Sequence, residues 1–239
     1  MYFYQYFSYC LLYSQAYSSL YPISTRVRKK LSCHNSFCFI IRYMFDRTML
    51  TGLDPRDYLQ MIEKYGKPDR LSFAADFLDF ECELVQRSAA KGRNHDITCF
   101  IRKGSEFIVI QKHDYAGTGI YRAPSGGAYP GESIEEAALR EMYEETGTEV
   151  KLKEFVLDLS LNVRCSSGLI PWRSLVFLAD YVAGELNPID TYEIAEVTTM
   201  TRKQLLEEVN ELMKQSGWGG FAYRAFLTKS FFERYDGSF

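Results

Sequence analysis

The stretch of sequence that decides the fold is APSGGAYPGESIEEAALREMYEETGTEV, residues 123–150. Ser133 is a typical N-cap residue, and Glu136 stands where its side chain completes a capping box. Gly147 is placed to end the helix in a left-handed conformation. The spacing therefore predicts a helix over 134–146. Apolar residues on one face of this helix form its expected buried stripe: Ile134, Ala138 and Met142, with Leu139 beside them.

Three carboxylates share one patch of the predicted helix. Glu141, Glu144 and Glu145 are spaced i, i+3 and i+4, and like charges at these spacings disfavour a helix. Arg140 stands four residues from both Glu136 and Glu144, where its guanidinium can orient a glutamate. Hard oxygen ligands beside a glycine-containing loop are typical of a site for Mg²⁺ or Mn²⁺. The alternative is an ordinary solvated acidic face, and the helix by itself does not decide between the two.

The loop before the helix separates these alternatives because its spacing is specific. The polar and glycine positions that form the pattern are Gly126, Glu132, Arg140, Glu141, Glu144, Glu145 and Gly147. Together they resemble the signature of the Nudix hydrolases at every such position between residues 126 and 148. The last position, Thr148, departs from the family, which normally has an aliphatic residue there. That departure affects the packing after the helix and leaves the chemistry intact.

The resemblance implies an α/β fold, namely a Nudix-type α/β/α sandwich with a mixed sheet. Capping signals at 54–66 add an N-terminal helical extension to it. The resemblance also implies roles for individual residues. Glu144 and Glu145 would bind the cation directly, Glu141 would be a further ligand or the base that activates water, and Arg140 would orient a glutamate. These four residues form the implied catalytic set.

The resemblance also assigns residues outside this set. The backbone at Gly126 would add a metal ligand, since glycine lets the chain approach closely. Support of the loop would come from Glu132, Gly126, Gly127 and Gly147. Family members often use another glutamate outside the motif, and the segment 190–196 supplies Glu193 and Glu196 as the two candidates.

The implied activity is metal-dependent hydrolysis of the pyrophosphate bond of a nucleoside diphosphate linked to another moiety, by attack of water on phosphorus. A divalent cation, Mg²⁺ or Mn²⁺, would neutralise charge on the phosphate oxygens. The expected partner is thus a small nucleotide-like diphosphate. The alternative function is a Nudix-fold module that senses a nucleotide or binds a protein without catalysis. Isomerase chemistry on a prenyl diphosphate is less favoured because no companion motif accompanies it.

Residues that would contact the substrate lie outside the motif. Arg122 and Lys112 flank the strand that leads into it, and Trp172 opens a later strand. Each can contact phosphate or stack on a base. An ordinary surface or core role is the more common fate of such residues.

The charge distribution divides the 239-residue chain. Residues 1–43 contain no Asp or Glu and carry a formal charge of +5, whereas the remaining residues carry −8. An acidic body argues against duplex nucleic acid as a partner, since such proteins usually present a basic stripe. We expect an aromatic-rich extension over 1–43, a helix-containing extension over 44–93, the Nudix domain over 94–216 and a helical segment over 217–239. A chain that begins at Met44 is expected to fold and to keep its activity.

Several elements outside the motif are predicted from pattern and capping. A capped helix is expected over 55–65, and a second over 201–216, where Thr201 and Gln204 form a capping box. Segments with the pattern of strands are 97–102, 107–110, 154–161 and 174–181. The segment 73–87, in which apolar and acidic residues alternate over 80–85, also suggests a strand. A closing helix over 221–235 is expected to pack against the 55–65 helix or a second subunit, which allows for a homodimer.

Cysteine spacing and hydropathy address the cellular setting. Cys82, Cys99 and Cys165 are widely spaced single residues, so reduced thiols and a cytoplasmic location are expected. The first 25 residues are uncharged but contain few aliphatic side chains, and no basic segment precedes an apolar run. They therefore match neither a signal peptide nor a membrane anchor well, and no membrane association is expected.

Overall fold

Within residues 52–235, which the computed structural model describes, a seven-stranded mixed sheet forms the centre of the fold. The predicted extension over 1–43 and the start at Met44 lie outside these residues. The strands are β1 (Asp69–Asp76), β2 (His95–Lys103), β3 (Glu106–Lys112), β4 (Ser125–Gly126), β5 (Thr148–Cys165), β6 (Gly168–Gly184) and β7 (Ile194–Thr201). Their order is β1-β5-β6-β2-β3-β7, and β4 pairs with β2. β1 is parallel to β5 and β2 to β6, whereas the other pairs are antiparallel.

Helices cover both faces of the sheet. They are α1 (Pro55–Tyr65), α2 (Asp79–Ala90), α3 (Ile134–Thr146), α4 and α5 (Gly219–Arg234). α4 has three consecutive parts: Arg202–Gln204, a π-helical turn at Leu205–Val209, and Asn210–Gln215. α1 and α3 pack together on one side, and α4 and α5 pack together on the other. None of the helices within the described range is both long and apolar enough to span a bilayer.

The two-sided core follows from the alternation of side chains along the central strands. Cys99 of β2 pairs in register with Phe177 of β6, which stacks on Phe155, and Phe155 meets Tyr58 of α1 edge to face. Phe100, the next residue of β2, points to the opposite face. There it stacks on Phe231 of α5 with ring centroids 3.9 Å apart. The predicted α/β/α sandwich is confirmed.

Most of the predicted elements are present with close bounds. α1 begins at Pro55, and its N-cap Asp54 accepts a hydrogen bond from the backbone N–H of Arg56. The capping box of Thr201 and Gln204 opens α4. The predicted strands lie inside β2, β3, β5 and β6, of which the last two are much longer because they pair as one hairpin over their whole length.

The predicted strand over 73–87 is wrong for most of its length, since only 73–76 belong to a strand, β1, whereas 79–87 belong to α2. The carboxylate of Glu81 accepts a hydrogen bond from the backbone N–H of Leu78, just before the helix begins. It also accepts hydrogen bonds from the backbone N–H groups of Gly219 and Gly220, at the start of α5. This tertiary contact, together with the helical cap, overrides a local alternation that is weak evidence for a strand.

The expectation of reduced thiols is also wrong for two of the cysteines. Cys82 of α2 and Cys165, the last residue of β5, form a disulfide across 83 positions of sequence. Cys99 is a free and buried thiol. Widely separated single cysteines give no sign of such a pair, because only the packing of α2 beside the β5–β6 hairpin brings them together.

The predicted closing helix is α5, and of the two partners predicted for it, helix α1 or a second subunit, the first is wrong. α5 lies on the other face of the sheet, where Tyr223, Leu227, Phe231 and Phe232 join the core with residues of β2, β3 and β5. α1 instead docks through a buried group of polar side chains. Tyr58 donates a hydrogen bond to Asp158, which also binds the guanidinium of Arg173 at 2.7 and 2.8 Å.

Candidate active site

Helix α3 is built as its sequence predicts. Ser133 accepts a hydrogen bond from the backbone N–H of Glu136, whose carboxylate accepts the backbone N–H of Ser133. Gly147 ends the helix with φ of 71°, and a Cβ there would overlap the carbonyl of Asn187. Asp57 of α1 adds a second cap by accepting from the backbone N–H of Ile134. The start and the end of the helix are therefore both fixed.

The buried stripe of α3 differs from the prediction at one position. Ile134, Ala138 and Met142 are fully buried, but Leu139 is 39% exposed. Ala137 takes its place on the buried face. The helix therefore packs close to the sheet through two adjacent alanines.

Arg140 joins the helix to the loop that precedes it. Its guanidinium binds both carboxylate oxygens of Glu132, from Nε at 2.8 Å and from Nη2 at 2.9 Å. It also donates to Glu144 at 2.9 Å and to the carbonyl of Gly127 at 3.1 Å. The i+4 spacing predicted Glu136 as the other partner of Arg140. The Glu136 carboxylate instead accepts the backbone N–H of Ser133 in the capping box. The loop thus replaces Glu136 as the partner of Arg140.

Glu141 lies against the glycine pair of the loop. Its carboxylate accepts the backbone N–H of Gly127 at 3.2 Å and is 3.0 Å from Arg140. A Cβ at Gly126 would overlap this carboxyl group, so only glycine leaves room for it. Burial raises the pKa of Glu141, and the charges of Glu145 and Glu144 raise it further, while Arg140 opposes both effects.

Glu145 is buried, with 4% of its surface exposed. Its Oε2 accepts the backbone N–H of Ser125 at 2.7 Å. Its Oε1 lies 3.4 Å from Lys112 Nζ and 3.7 Å from Arg122 Nη2. Lys112 and Arg122, two of the three residues predicted to contact substrate, therefore lie next to Glu145 of the motif. Burial and the neighbouring Arg122 lower the pKa of Lys112 to about 8, although Glu145 raises it in part.

Glu193 and Glu196 occupy different surroundings. Glu193 forms an ion pair with Lys112, which also contacts Glu145. Glu196 accepts a hydrogen bond from the Tyr121 hydroxyl at 2.6 Å, and this bond raises the pKa of Tyr121 to about 12. The structure therefore connects Glu193, and not Glu196, to the glutamates of α3 through a shared lysine.

The donor set of α3 fits a divalent cation by its chemistry. Glu141, Glu144 and Glu145 offer carboxylate oxygens, which Mg²⁺ and Mn²⁺ prefer. The three carboxylates repel one another, and this repulsion contributes to the raised pKa of Glu141. A bound cation would relieve it. Among residues 52–235, however, no group of three or more His, Cys, Asp or Glu side chains is arranged so that it could hold a metal ion. The three glutamates thus form an open acidic patch, with Glu144 its most exposed member.

A cavity of about 250 Å³ adjoins Lys112 and Arg122, and the glutamates of α3 do not line it. Lys112, Arg122 and Trp172, the three predicted substrate contacts, all line it. Sequence reasoning missed other lining residues, among them Asp96, Tyr223 and Arg224. For Arg224 there is a signal, because it is an arginine in a largely apolar helix. Asp96 and Tyr223 carry no comparable signal.

Thr148 shows how this chain accommodates a polar residue after the helix. Its side chain is fully buried, and its hydroxyl is 2.6 Å from the hydroxyl of Thr146. Because a buried hydroxyl that keeps a hydrogen bond avoids most of the cost of desolvation, threonine is tolerated here. The glutamates of the motif are not involved.

Comparison with known proteins adds to this geometry. Residues 92–217 match the NUDIX domain family. The chain is 37% identical over 93 residues to an NAD-capped RNA hydrolase NudC of Photobacterium profundum, covering 37% of this chain and 30% of that protein. It is 33% identical over 96 residues to an ADP-ribose pyrophosphatase of Methanocaldococcus jannaschii, covering 40% of this chain and 56% of that protein.

Among solved structures, a NUDIX hydrolase from Nitrosomonas europaea superposes with a TM-score of 0.43 at 17% identity. That superposition covers 59% of this chain and 88% of the other. The chain spans 30% of the length of the first of the two curated relatives and 56% of the second.

Proposed function

The chain belongs to the Nudix family, since more than half of it matches the NUDIX domain, and on this premise we propose that it hydrolyses the pyrophosphate bond of a nucleotide-linked diphosphate. The relatives named for NAD-capped RNA and for ADP-ribose support this substrate class, because each name describes a nucleotide joined through a diphosphate. Water attacks one phosphorus, the bridging P–O bond breaks, and two phosphate monoesters leave.

The proposal includes a divalent cation, Mg²⁺ or Mn²⁺, as family membership suggests. Glu144 and Glu145 would hold it, with Glu141 as a further ligand or as the base and the Gly126 backbone as another donor. When bound, the cation neutralises charge on the phosphate oxygens and increases the acidity of water. Of the two candidates outside the motif, we propose Glu193, because Lys112 ties it to Glu145.

One observation carries the proposal, namely the way Arg140 holds the loop and the helix together. Its guanidinium donates four hydrogen bonds at once, two to Glu132, one to Glu144 and one to the carbonyl of Gly127. This arrangement orients two carboxylates before any substrate arrives. Preorganised groups of this kind cost little reorganisation during a reaction, which is what hydrolysis of a highly charged diphosphate requires.

Lys112 and Arg122 have a separate role in the proposal. Both are cations beside Glu145, and both line the adjacent cavity. A diphosphate that enters from the cavity meets them before it reaches the glutamates. We therefore assign them to contact with phosphate oxygens, with the Arg122 guanidinium fixed by Tyr115 and Ser125.

The test is turnover of a panel of diphosphates with Mg²⁺, with Mn²⁺ and after chelation. The panel contains ADP-ribose, NADH, nucleotide sugars, dinucleoside polyphosphates and oxidised deoxynucleoside triphosphates. We expect hydrolysis of at least one member that stops on chelation. Glu144→Gln, at the most exposed of the proposed ligands, should reduce kcat by at least about 100-fold, as loss of an electrostatic catalytic group commonly does.

Glu145→Gln tests a buried ligand, and Glu149→Gln is the matched control, an exposed glutamate just beyond the helix. Metal-independent turnover, or full activity of Glu144→Gln and Glu145→Gln, would contradict the mechanism. Tight nucleotide binding without any product would instead favour the sensing module.

Four further predictions stay with this proposal. Residues 94–216 are proposed as the catalytic domain, with 44–93 and 217–239 as flanking segments. We expect no binding of duplex nucleic acid, because the body of the chain is acidic. We also propose that the chain forms a homodimer, and light scattering would measure the mass of the particle in solution. The cytoplasmic location stays a prediction, and the expectation of reduced thiols on which it rested is wrong at Cys82 and Cys165.

A further inference from the structure

Strand β4 is only two residues long, yet it and the residue after it hold two glutamates of the motif. The backbone N–H of Ser125 donates to Glu145, and the backbone N–H of Gly127 donates to Glu141. A displacement of β4 would therefore move the hydrogen-bond partners of both carboxylates. Because its pairing with β2 covers only two register positions, few backbone hydrogen bonds of its own keep β4 on the sheet.

Arg224 of α5 provides a second connection between β4 and β2. Thr98 of β2 and Ser125 of β4 are register partners across the two strands. The Arg224 guanidinium donates from Nη1 to the Thr98 hydroxyl at 2.8 Å and from Nη2 to the Ser125 hydroxyl at 2.9 Å. Both partners are buried, where hydrogen bonds from a charged donor are strong. One planar group thus bridges both members of a cross-strand pair.

Asp96 of β2 determines where this guanidinium lies. Its Oδ2 is 3.3 Å from Arg224 Nη2 and accepts the indole N–H of Trp172 at 3.1 Å. Its Oδ1 accepts a hydrogen bond from the Ser174 hydroxyl. The side chain of Arg224 is only 15% exposed, and a charge so largely removed from water requires a partner of opposite charge. The fixed carboxylate therefore holds the arginine against the two hydroxyls.

The hydroxyl of Ser125 also connects Arg224 to the cations of the candidate site. Arg122 Nη1 donates to this hydroxyl at 2.8 Å, and Arg122 Nη2 lies 3.7 Å from Glu145. A hydroxyl oxygen has two lone pairs, so it can accept from both arginines. Ser125 is thus the residue at which a contact from α5 meets two contacts to Glu145.

We propose that Arg224 is a positioning residue for the candidate active site. Through Ser125 it holds β4 in place, and β4 with the following residue holds Glu145 and Glu141. The inference rests on the proposed function and extends it. Arg224 lies beyond residue 217, where the NUDIX match ends, so the catalytic unit of this chain includes a helix outside the matched domain.

Arg224→Lys tests this role, because lysine keeps the charge but cannot bridge two hydroxyls as a planar guanidinium does. For a diphosphate that the wild-type protein hydrolyses, we expect kcat to fall roughly 10- to 100-fold, the cost of a small misplacement of catalytic groups. KM should be nearly unchanged. Wild-type kcat overturns the proposal, with or without a higher KM, since a change in KM alone indicates direct contact with the substrate.

Arg102→Lys is the matched control for this variant. Arg102 also joins β2 to α5, because it donates to the hydroxyl of Tyr235, just after the helix, at 3.0 Å and to Asp180 at 2.9 Å. It makes no printed contact with β4, so we expect Arg102→Lys to keep wild-type kcat. An equal loss of kcat in the two variants overturns the proposal, since it shows that any weakening of α5 has the same effect.

A double-mutant cycle identifies the route of the effect. Ser125→Ala removes the shared hydroxyl and keeps the backbone N–H that binds Glu145. If Arg224 acts through this hydroxyl, Ser125→Ala lowers kcat as well, and the double variant loses no more than the worse single variant. Losses of kcat that multiply in the double variant show two separate routes and overturn the proposal.

Amide hydrogen exchange tests the positioning without any substrate. Arg224→Lys should speed exchange at residues 125–127 about tenfold, because a hydrogen bond from a charged donor no longer holds β4. Exchange in β5 should stay at the wild-type rate, and Arg102→Lys should leave residues 125–127 unchanged. Unchanged exchange at 125–127 in Arg224→Lys, or an equal acceleration throughout the sheet, overturns the proposal. If the wild-type protein hydrolyses no diphosphate, the proposed function fails, and the exchange rates still decide whether Arg224 holds β4.

Discussion

At the scale of single residues, the candidate site depends on which atoms a side chain can reach. Arg140 satisfies a loop carboxylate, a helix carboxylate and a loop carbonyl with one planar group. Lysine carries the same charge but cannot bind both oxygens of Glu132 in this fork. The identity of the residue is therefore more important than its charge.

Arg140→Lys is expected to lower kcat by roughly 10- to 100-fold, because the loop loses its fixed position relative to the glutamates. The thermal unfolding midpoint should change little, since the pair with Glu132 is partly exposed to solvent. Initial rates at saturating substrate measure the effect. Arg164→Lys is the matched control, because Arg164 makes the same two-pronged contact with Asp76 on the surface. Equal losses in both variants would argue against a positioning role.

Gly126→Ala addresses the space that Glu141 occupies. The added methyl group would overlap the Glu141 carboxyl group, so this side chain must move away from the loop. We expect kcat to fall about 100-fold, the cost of a small misplacement of a catalytic group. Circular dichroism and thermal unfolding should show a folded protein. A variant with wild-type kcat would show that the position of Glu141 is unimportant for the reaction.

At the scale of elements, α2 shows how a segment outside the NUDIX match is attached to it. Glu81 caps the start of α5, and Cys82 forms the disulfide with Cys165 at the end of β5. The same helix provides Phe80 and Leu84 to the cavity wall. Anything that loosens α2 therefore acts on the cavity as well as on stability.

Reduction of the disulfide is expected to destabilise the protein by about 2–4 kcal/mol, because the bond closes a long loop in the unfolded chain. Urea unfolding with and without a dithiol reductant measures this difference. The double variant Cys82→Ser, Cys165→Ser should match the reduced protein and no longer respond to reductant. Cys99→Ala, which removes the free buried thiol, should retain the response. Identical urea midpoints for oxidised and reduced protein would count against the disulfide.

At the scale of the whole molecule, the sheet is stable only when both faces are covered. α3 and α1 cover one face, and α5 covers the other with a stack of aromatic rings around Phe100. α5 lies beyond the last residue of the NUDIX match. The family domain of this chain therefore requires a flanking segment to complete its core.

Phe231→Ala should destabilise the protein by about 3–5 kcal/mol, as expected for a large aromatic side chain lost from a core. Phe231 is fully buried and stacks on Phe100. Equilibrium urea unfolding provides the measurement. Leu169→Ala is the control, because Leu169 is 67% exposed and should cost little. A loss below about 1 kcal/mol at Phe231 would mean that α5 is not an integral part of the core.

The sequence by itself determined the motif helix, its caps, the loop before it and the family. These features are local, since Ser133, Glu136 and Gly147 act on backbone groups within a few residues of themselves. The spacing of the glutamates on one helix face follows from the same geometry. Helix α4 and the central strands were predictable for similar reasons.

Only the tertiary structure decided what comes together from distant parts of the chain. In the tertiary structure residues 80–85 are helical rather than extended, and Cys82 is bonded to Cys165. Glu193, rather than Glu196, lies beside Lys112. The tertiary structure also assembled the cavity from α2, β6 and α5. These contacts depend on how elements pack around one sheet. The periodicity of a segment predicts which of its faces is buried, but not which distant segment covers that face.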